Sequence, residues 1–219
     1  EVIAFLDNKY YIESETLVED IQYDQLFDAV KKIELEFPEL ITKDSPTQRV
    51  AKGLSSDFST VKHSVPMLSL DKCYNQEDLQ SFDDSLRKLV SEDETISYSI
   101  EPKFDGSSIA LLYENDILVR AATRGDGTEG EDITLNAKMI SNIPQKVNFS
   151  QFGISKIELR GEVVIEHGVF KKLNEDREKE DLKTFENSRN TASGSLRMKD
   201  PNEVAKRGLE AFIYQVGYL

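Results

Sequence analysis

Ile109-Ala110-Leu111-Leu112-Tyr113-Glu114-Asn115-Asp116-Ile117-Leu118-Val119-Arg120-Ala121 is the stretch that decides the fold. Ile109, Leu111 and Tyr113 recur with a period of two, Glu114-Asn115-Asp116 supplies a turn, and Ile117, Val119 and Ala121 return. That pattern predicts an antiparallel hairpin. Upstream, Tyr98 and Ile100 alternate with serines, which extends the strand reading back to Ile96. Downstream, Ile157, Leu159, Val163 and Ile165 predict a strand interrupted at Gly161, and residues 211–218 a last one. Between them, His167 to Lys179 reads as a helix, followed by a polar segment with few apolar anchors.

The region before the sheet has a different period. Tyr23, Leu26, Phe27, Val30, Ile33 and Phe37 recur at helical spacing, and Pro38 marks the end. Ile3, Phe5, Leu6 and Tyr10 predict a shorter helix before it, joined through the acidic stretch 14–20. Such a hairpin is too small to hold a core alone and should lean on a neighbour. Residues 41–62 read as a linker, with Asp44-Ser45-Pro46 as a turn signal. A short apolar segment follows at 65–70, then a helix capped by Asn75 with Asp78 three residues on. The fold class is α+β: a small helical N-terminal cap over residues 1–57, linker included, then a mainly antiparallel-sheet domain over 58–219.

Composition narrows the function classes. The chain has 219 residues, a formal net charge of −14 and a pI near 4.7. That charge argues against a general nucleic-acid binder, although a local basic groove is compatible with it. One cysteine, Cys73, excludes an internal disulfide and a Cys-rich zinc site, and a reducing cytoplasm is the simplest home. No stretch has the length of a membrane span, and Glu1 opens an amphipathic segment rather than a secretory leader. His63 and His167 make no metal pattern with Cys73, so no metal ligands are assigned. There is no Ser-His-Asp set, Walker loop or dinucleotide fingerprint.

Five stretches carry candidate chemistry. Glu101-Pro102-Lys103-Phe104-Asp105-Gly106 puts a lysine and an aspartate two apart; in a strand they would face the same side. A lysine that loses its proton is a nucleophile, and Gly106 permits a sharp turn or a close approach. Lys-x-Asp-Gly occurs by chance in about one chain in twenty of this length, so the tetrapeptide alone does not establish catalysis. Residues 121–132 hold three glycines and four acids around Arg124, which suits a multi-turn loop, a metal loop or a phosphate-facing loop. The spacing does not match an EF-hand. In Leu159-Arg160-Gly161-Glu162-Val163, Arg160 and Glu162 share one face of an apolar strand, which requires pairing or function. Residues 187–197 read as a small-residue loop bearing Arg189 and Arg197, suited to phosphates or to plain exposure. In the cap, Tyr10, Tyr11, Asp20, Tyr23 and Asp24 combine aromatic rings with carboxylates, which suit a cationic ring, or serve as core tyrosines and solvated acids.

Together these stretches resemble, in order and wording, the N-terminal region of bacterial NAD⁺-dependent DNA ligases. Tyr10-Tyr11 and Asp20-Ile21-Gln22-Tyr23-Asp24 resemble the cap that recognises the nicotinamide mononucleotide half of NAD⁺. Asp44-Ser45-Pro46-Thr47-Gln48-Arg49-Val50 and His63-Ser64-Val65-Pro66-Met67-Leu68-Ser69-Leu70 resemble the linker and the start of the nucleotidyltransferase domain, an ATP-grasp-like ligase domain. Lys103-Phe104-Asp105-Gly106 is similar to the adenylation motif, and 123–132, 159–163 and 188–197 match later segments in the family's order.

The resemblance implies roles. Lys103 would attack the α-phosphorus of NAD⁺, forming a lysine–AMP phosphoramidate and releasing nicotinamide mononucleotide. Glu101 would contact the adenine amino group, with Ser69 and Leu70 lining the adenine side. Asp105, Arg124 and Glu162 would hold the ribose and its surroundings. Arg189 and Arg197 would meet nucleotide or nicked-DNA phosphate. Tyr10, Tyr11, Asp20, Tyr23 and Asp24 would bind the leaving half, and Mg²⁺ would offset phosphate charge. Phe104 stands where the family usually has Leu; Ser188, Thr191 and Ser193 depart from the usual Pro and Ala wording.

The family domain continues past the point matched by Leu219, with two further phosphate-contacting lysines and then the parts that grip DNA. The resemblance therefore implies that the parent protein joins nicked duplex in replication and repair. The 219 residues alone are expected to bind DNA weakly or not at all and not to seal nicks; a monomer is expected. The competing readings are an inactive NAD⁺-binding piece, an ATP-dependent nucleotidyltransferase, and a non-enzymatic interaction module.

Overall fold

A computed structural model describes residues 2–11, 17–40, 45, 47, 58–91 and 93–219; the side chains at 4, 7, 8, 10, 11 and 20 lie outside the description. The chain divides into two compact units, Glu1–Met67 with Phe104–Leu219, and Leu68–Lys103.

The first unit is built on a four-stranded sheet of order β3-β2-β5-β6, antiparallel throughout. Its strands are β2 (Ser107–Glu114), β3 (Ile117–Thr123), β5 (Lys156–Ile165) and β6 (Leu209–Tyr218). The decisive hairpin forms as expected. Asn115 and Asp116 turn it with φ of 47° and 70°, the left-handed pair that a tight two-residue turn requires and that Asn and Asp tolerate. Asp116 Oδ1 then accepts the Ser150 N–H at 2.8 Å, tying the turn to the following loop.

Register sorts the side chains. Ile109, Leu111, Tyr113, Ile157, Val163 and Ala211 lie on one face and are buried. Helices α4 (Thr134–Ala137), α6 (Ser188–Leu196) and α7 (Pro201–Ala205) bring Ala137, Ala192, Leu196 and Val204 onto them, with Ile133, Ile140 and Ile143. Each buried Leu or Ile contributes about 2 kcal/mol by leaving water. The other face carries Ser108, Ala110 and Leu112 on β2 and Glu158, Arg160 and Glu162 on β5. Helix α5 (His167–Lys179) forms as expected.

Three expectations are corrected in this unit. Gly161 does not interrupt β5; the irregularity is a register shift against β6 between Arg160 and Gly161. A Cβ at Gly161 would stand 2.5 Å from the Phe212 carbonyl oxygen, so glycine permits close approach of β6. Residues 188–196 are helical, not a loop: Asn187 caps α6 by accepting the Asn190 N–H at 2.7 Å, and Thr191, Ala192, Ser195 and Leu196 form its buried stripe. The expected linker ends in a strand, β1 (Thr60–Lys62), paired antiparallel with β4 (Glu129–Glu131).

Helices α1 (Val2–Tyr11) and α2 (Asp20–Glu36) form where the apolar period predicts. Gln22 accepts the Glu19 N–H at 3.1 Å at the start of α2, and Pro38 opens a 3-10 turn after it. Ile3 and Leu6 are buried, whereas Tyr23, Phe27 and Val30 are half-buried and Leu26, Ile33 and Phe37 are exposed. The buried Glu34 carboxylate accepts the hydroxyls of Ser45 and Thr47, which fastens these two residues to α2.

The second unit contains α3 (Gln76–Arg87), capped by Asn75, which accepts the Asp78 N–H at 2.8 Å. The strand expected around 96–100 is absent. Tyr98 instead donates its hydroxyl to Asp83 and places its ring 6.4 Å from that of Phe82, so this segment packs on α3 rather than joining a ladder.

Candidate active site

The Lys103-Phe104-Asp105-Gly106 stretch lies in no ladder, so the expected shared strand face does not apply. Side-chain packing and chain shape hold it instead. The Phe104 ring stacks on Phe212 of β6, with centroids 4.2 Å apart and planes 12° apart. Gly106 is pressed on β5: a Cβ there would stand 2.2 Å from the Val163 carbonyl oxygen. The motif therefore joins the sheet at the register pair Ser107–Val163, next to Ser108–Glu162. Asp105 is exposed, and its Oδ1 lies 3.3 Å from Arg189 Nη1 on the first turn of α6. The cap on α6 thus has a geometric consequence, because it sets where Arg189 starts.

Lys103 ends the second unit and is exposed, as are Glu101, Ser69 and Leu70 in that unit. Glu101 Oε1 accepts the Ser99 hydroxyl at 3.2 Å.

Glu162 stands half-buried on the polar sheet face, and its Oε2 accepts the Ser108 hydroxyl at 2.9 Å. Tyr214 of β6 belongs to the same cluster. Burial raises the pKa of its phenol, and the Glu162 carboxylate raises it further; a hydrogen bond with Ser108 and the fields of Arg124 and Arg160 oppose them. No local sequence pattern singles out Ser108 or Tyr214. Both sit inside apolar strand patterns, and only register places them beside Glu162.

The glycine-rich loop is a tight turn. Asp126 Oδ1 accepts the N–H groups of Thr128 and Glu129 at 2.6 and 2.8 Å, and Gly125 and Gly127 have φ of 55° and 91°. Among the described residues no group of three His, Cys, Asp or Glu could hold a metal. The loop presents half-buried Arg124, whose carbonyl lies 3.0 Å from His63 Nε2.

Arg197 has a structural partner. Its Nε lies 2.7 Å from Glu131 Oε2, and the Glu131 side chain is only 3% exposed. This arginine ties the end of α6 to β4, apart from Arg189 at the other end of the helix. In the cap, Tyr23 and Asp24 are half-buried, with Tyr23 stacked on Phe27 at 6.1 Å. The side chains of Tyr10, Tyr11 and Asp20 lie outside the described residues.

Comparison with known proteins agrees with the resemblance. Residues 55–219 match the sequence profile of the NAD-dependent DNA ligase adenylation domain, and residues 1–51 that of the DNA ligase-like N-terminal NAD⁺-binding domain. The chain belongs to the NAD-dependent DNA ligase family. The DNA ligase of Aquifex aeolicus (strain VF5) is 55% identical over 219 residues, covering 100% of this chain and 30% of that ligase. That of Sulfurihydrogenibium sp. (strain YO3AOP1) is 54% identical, covering 100% of this chain and 31% of its own length. That of Hahella chejuensis (strain KCTC 2396) is 45% identical, at 100% and 32%. The chain thus spans about a third of the length of these curated ligases. The matched adenylation profile takes in the lysine motif and every cluster around the sheet.

Proposed function

We propose that this chain carries the adenylation step of a NAD⁺-dependent DNA ligase. Lys103 attacks the α-phosphorus of NAD⁺. A phosphorus–nitrogen bond forms, the pyrophosphate bond breaks, and nicotinamide mononucleotide leaves with the electron pair. The observation that carries this reading is the seat of Gly106 on β5, which brings the glycine of the motif against the strand that bears Glu162.

The donor set fits the substrate. Glu162 and Ser108 offer an acceptor and a hydroxyl to ribose hydroxyls, Tyr214 offers a ring face to a base, and Arg124 offers a planar fork to phosphate. Asp105, paired with Arg189, orients the nucleotide end of the motif; Glu101, Ser69 and Leu70 serve the adenine. Tyr10, Tyr11, Asp20, Tyr23 and Asp24 form the cap site for nicotinamide mononucleotide, whose cationic ring suits aromatics and carboxylates. The cap ends near residue 57. Mg²⁺ would be held through the substrate phosphates, whose charge it would offset, the usual mode for a cation that keeps much of its own water. Arg197 acts from its pair with Glu131, setting the end of α6. The whole ligase acts on nicked duplex DNA in the cytoplasm; the single cysteine, exposed and free, suits a reducing compartment.

Intact mass after incubation with NAD⁺ and Mg²⁺ tests the reading. A gain of roughly 330 Da is expected on the wild-type chain and none on Lys103→Ala. A wild-type chain that starts unmodified and gains nothing would overturn it.

A further inference from the structure

The polar sheet face holds a buried charged group that adenylation chemistry does not use. Arg160 and Glu158 are 6% and 1% exposed at their side chains, and Arg160 Nη2 lies 3.2 Å from Glu158 Oε1. We propose that Arg160 is a positioning residue for nucleotide capture, fixing the strap of residues 63–67 and, through it, the loop that presents Arg124. The inference rests on the adenylation reading above.

The strap cannot hold itself by a ladder. Pro66 has no N–H, and the Val65 and Pro66 carbonyls need donors from elsewhere. Arg160 supplies both: Nη1 donates to the Pro66 carbonyl at 3.1 Å and Nη2 to that of Val65. Glu158 Oε2 accepts the Ser64 N–H at 3.2 Å, and Arg120 Nη2 lies 4.0 Å from the same oxygen. The strap's other edge is bonded to the Arg124 loop. His63 donates its N–H to the Thr128 carbonyl at 3.0 Å, and Met67 to that of Gly127 at 2.7 Å.

Arg160 therefore connects two parts of one site. It projects from the strand that carries Glu162, and it holds the strap that sets the Arg124 backbone. The neighbouring strand is shaped around the guanidinium: a Cβ on Gly217 would stand 2.4 Å from Arg160 Nε. A buried ion pair is a poor source of stability relative to apolar filling, whereas its directed bonds define geometry. That asymmetry points to a positioning role rather than a stabilising one.

The test is self-adenylation of the full chain, followed by intact mass across a range of NAD⁺ concentrations, for wild type, Arg160→Met, Arg160→Lys and Gly217→Ala. Each variant is assayed well below its own melting temperature. Arg160→Met is expected to raise the apparent KM for NAD⁺ by about tenfold, with the rate at saturation within a few-fold of wild type. Arg160→Lys recovers part of that loss, since one ammonium cannot reproduce the fork. Gly217→Ala, which keeps the arginine but displaces its side chain, raises KM in the same direction. An unchanged KM in folded Arg160→Met, or a fall in saturated rate alone, sinks the inference. Should Arg160→Met not fold, an unchanged KM in both other variants sinks it equally. A wild-type chain that forms no adduct overturns the adenylation reading itself, and this inference with it.

Discussion

Gly106 is the residue where shape matters most to the site, because the atom an added methyl would meet is backbone. Gly106→Ala forces the motif off β5 and is expected to destabilise the fold by about 1–3 kcal/mol, the usual range for overpacking, while weakening adenylation. A urea midpoint and the mass assay read the two effects separately. Arg197 illustrates how a charged residue can have two plausible duties. With Glu131 buried beside it, Arg197→Ala removes one ion pair from that carboxylate, at a cost on the order of 3 kcal/mol. Lost activity in that variant must therefore be compared with its melting temperature; full stability would contradict the pairing. Tyr113 donates its hydroxyl to the Pro144 carbonyl at 2.7 Å, and burial pushes its pKa up to about 12. The folded state holds this proton more tightly than the unfolded chain, whose tyrosines titrate near ~10. Its contribution is present below ~10 and is lost as pH rises toward 12. Tyr113→Phe should flatten that alkaline fall in a melting curve taken against pH; an unaltered fall would assign it to other groups.

At the scale of elements, α6 converts a cap into a site geometry. Asn187 caps it, Asn136 donates to the Leu196 and Met198 carbonyls at 2.7 and 2.8 Å past its other end, and Arg189 and Arg197 project from opposite ends. Asn187→Ala should cost about 1 kcal/mol in a denaturant titration, the typical value for a lost N-cap. It should also lower adenylation more than that stability loss explains, because the first turn carries the Arg189 contact to Asp105. Equal activity per folded molecule would remove α6 from the site. The helix was legible only in part. Its Asn cap and small residues satisfy helical rules, yet Ser, Thr, Asn and Gly have poor intrinsic propensity, and burial of Thr191, Ala192, Ser195 and Leu196 decides the matter. The segment 96–100 fails in the opposite sense. Its alternation satisfies a strand, but Tyr98 is taken by Asp83 and Phe82 of α3.

Over the whole molecule, a charge of −14 sets a diffuse self-repulsion that salt relieves. The melting temperature should rise as sodium chloride goes from low to moderate concentration; a steady fall would mean that the paired charges outweigh the net charge. Among the described residues no helix is long and apolar enough to cross a membrane. The amino-acid sequence by itself determined the hairpin, the two N-terminal helices, the α3 cap and the family, because these depend on local periods, turn residues and contiguous wording. It also identified Lys103, Arg124 and Glu162 as candidates by the cost or rarity of their setting. Only the tertiary structure decided which distant residues meet Arg160 and Glu162 on the polar face. Ser108 meets Glu162 across 54 positions of chain, and Arg160 meets Pro66 across 94, because sheet register, not local pattern, brings them together. It also gave Arg197 its Glu131 partner and placed the last three residues of the expected linker in β1, since a short strand gains its hydrogen bonds only from a partner distant in sequence.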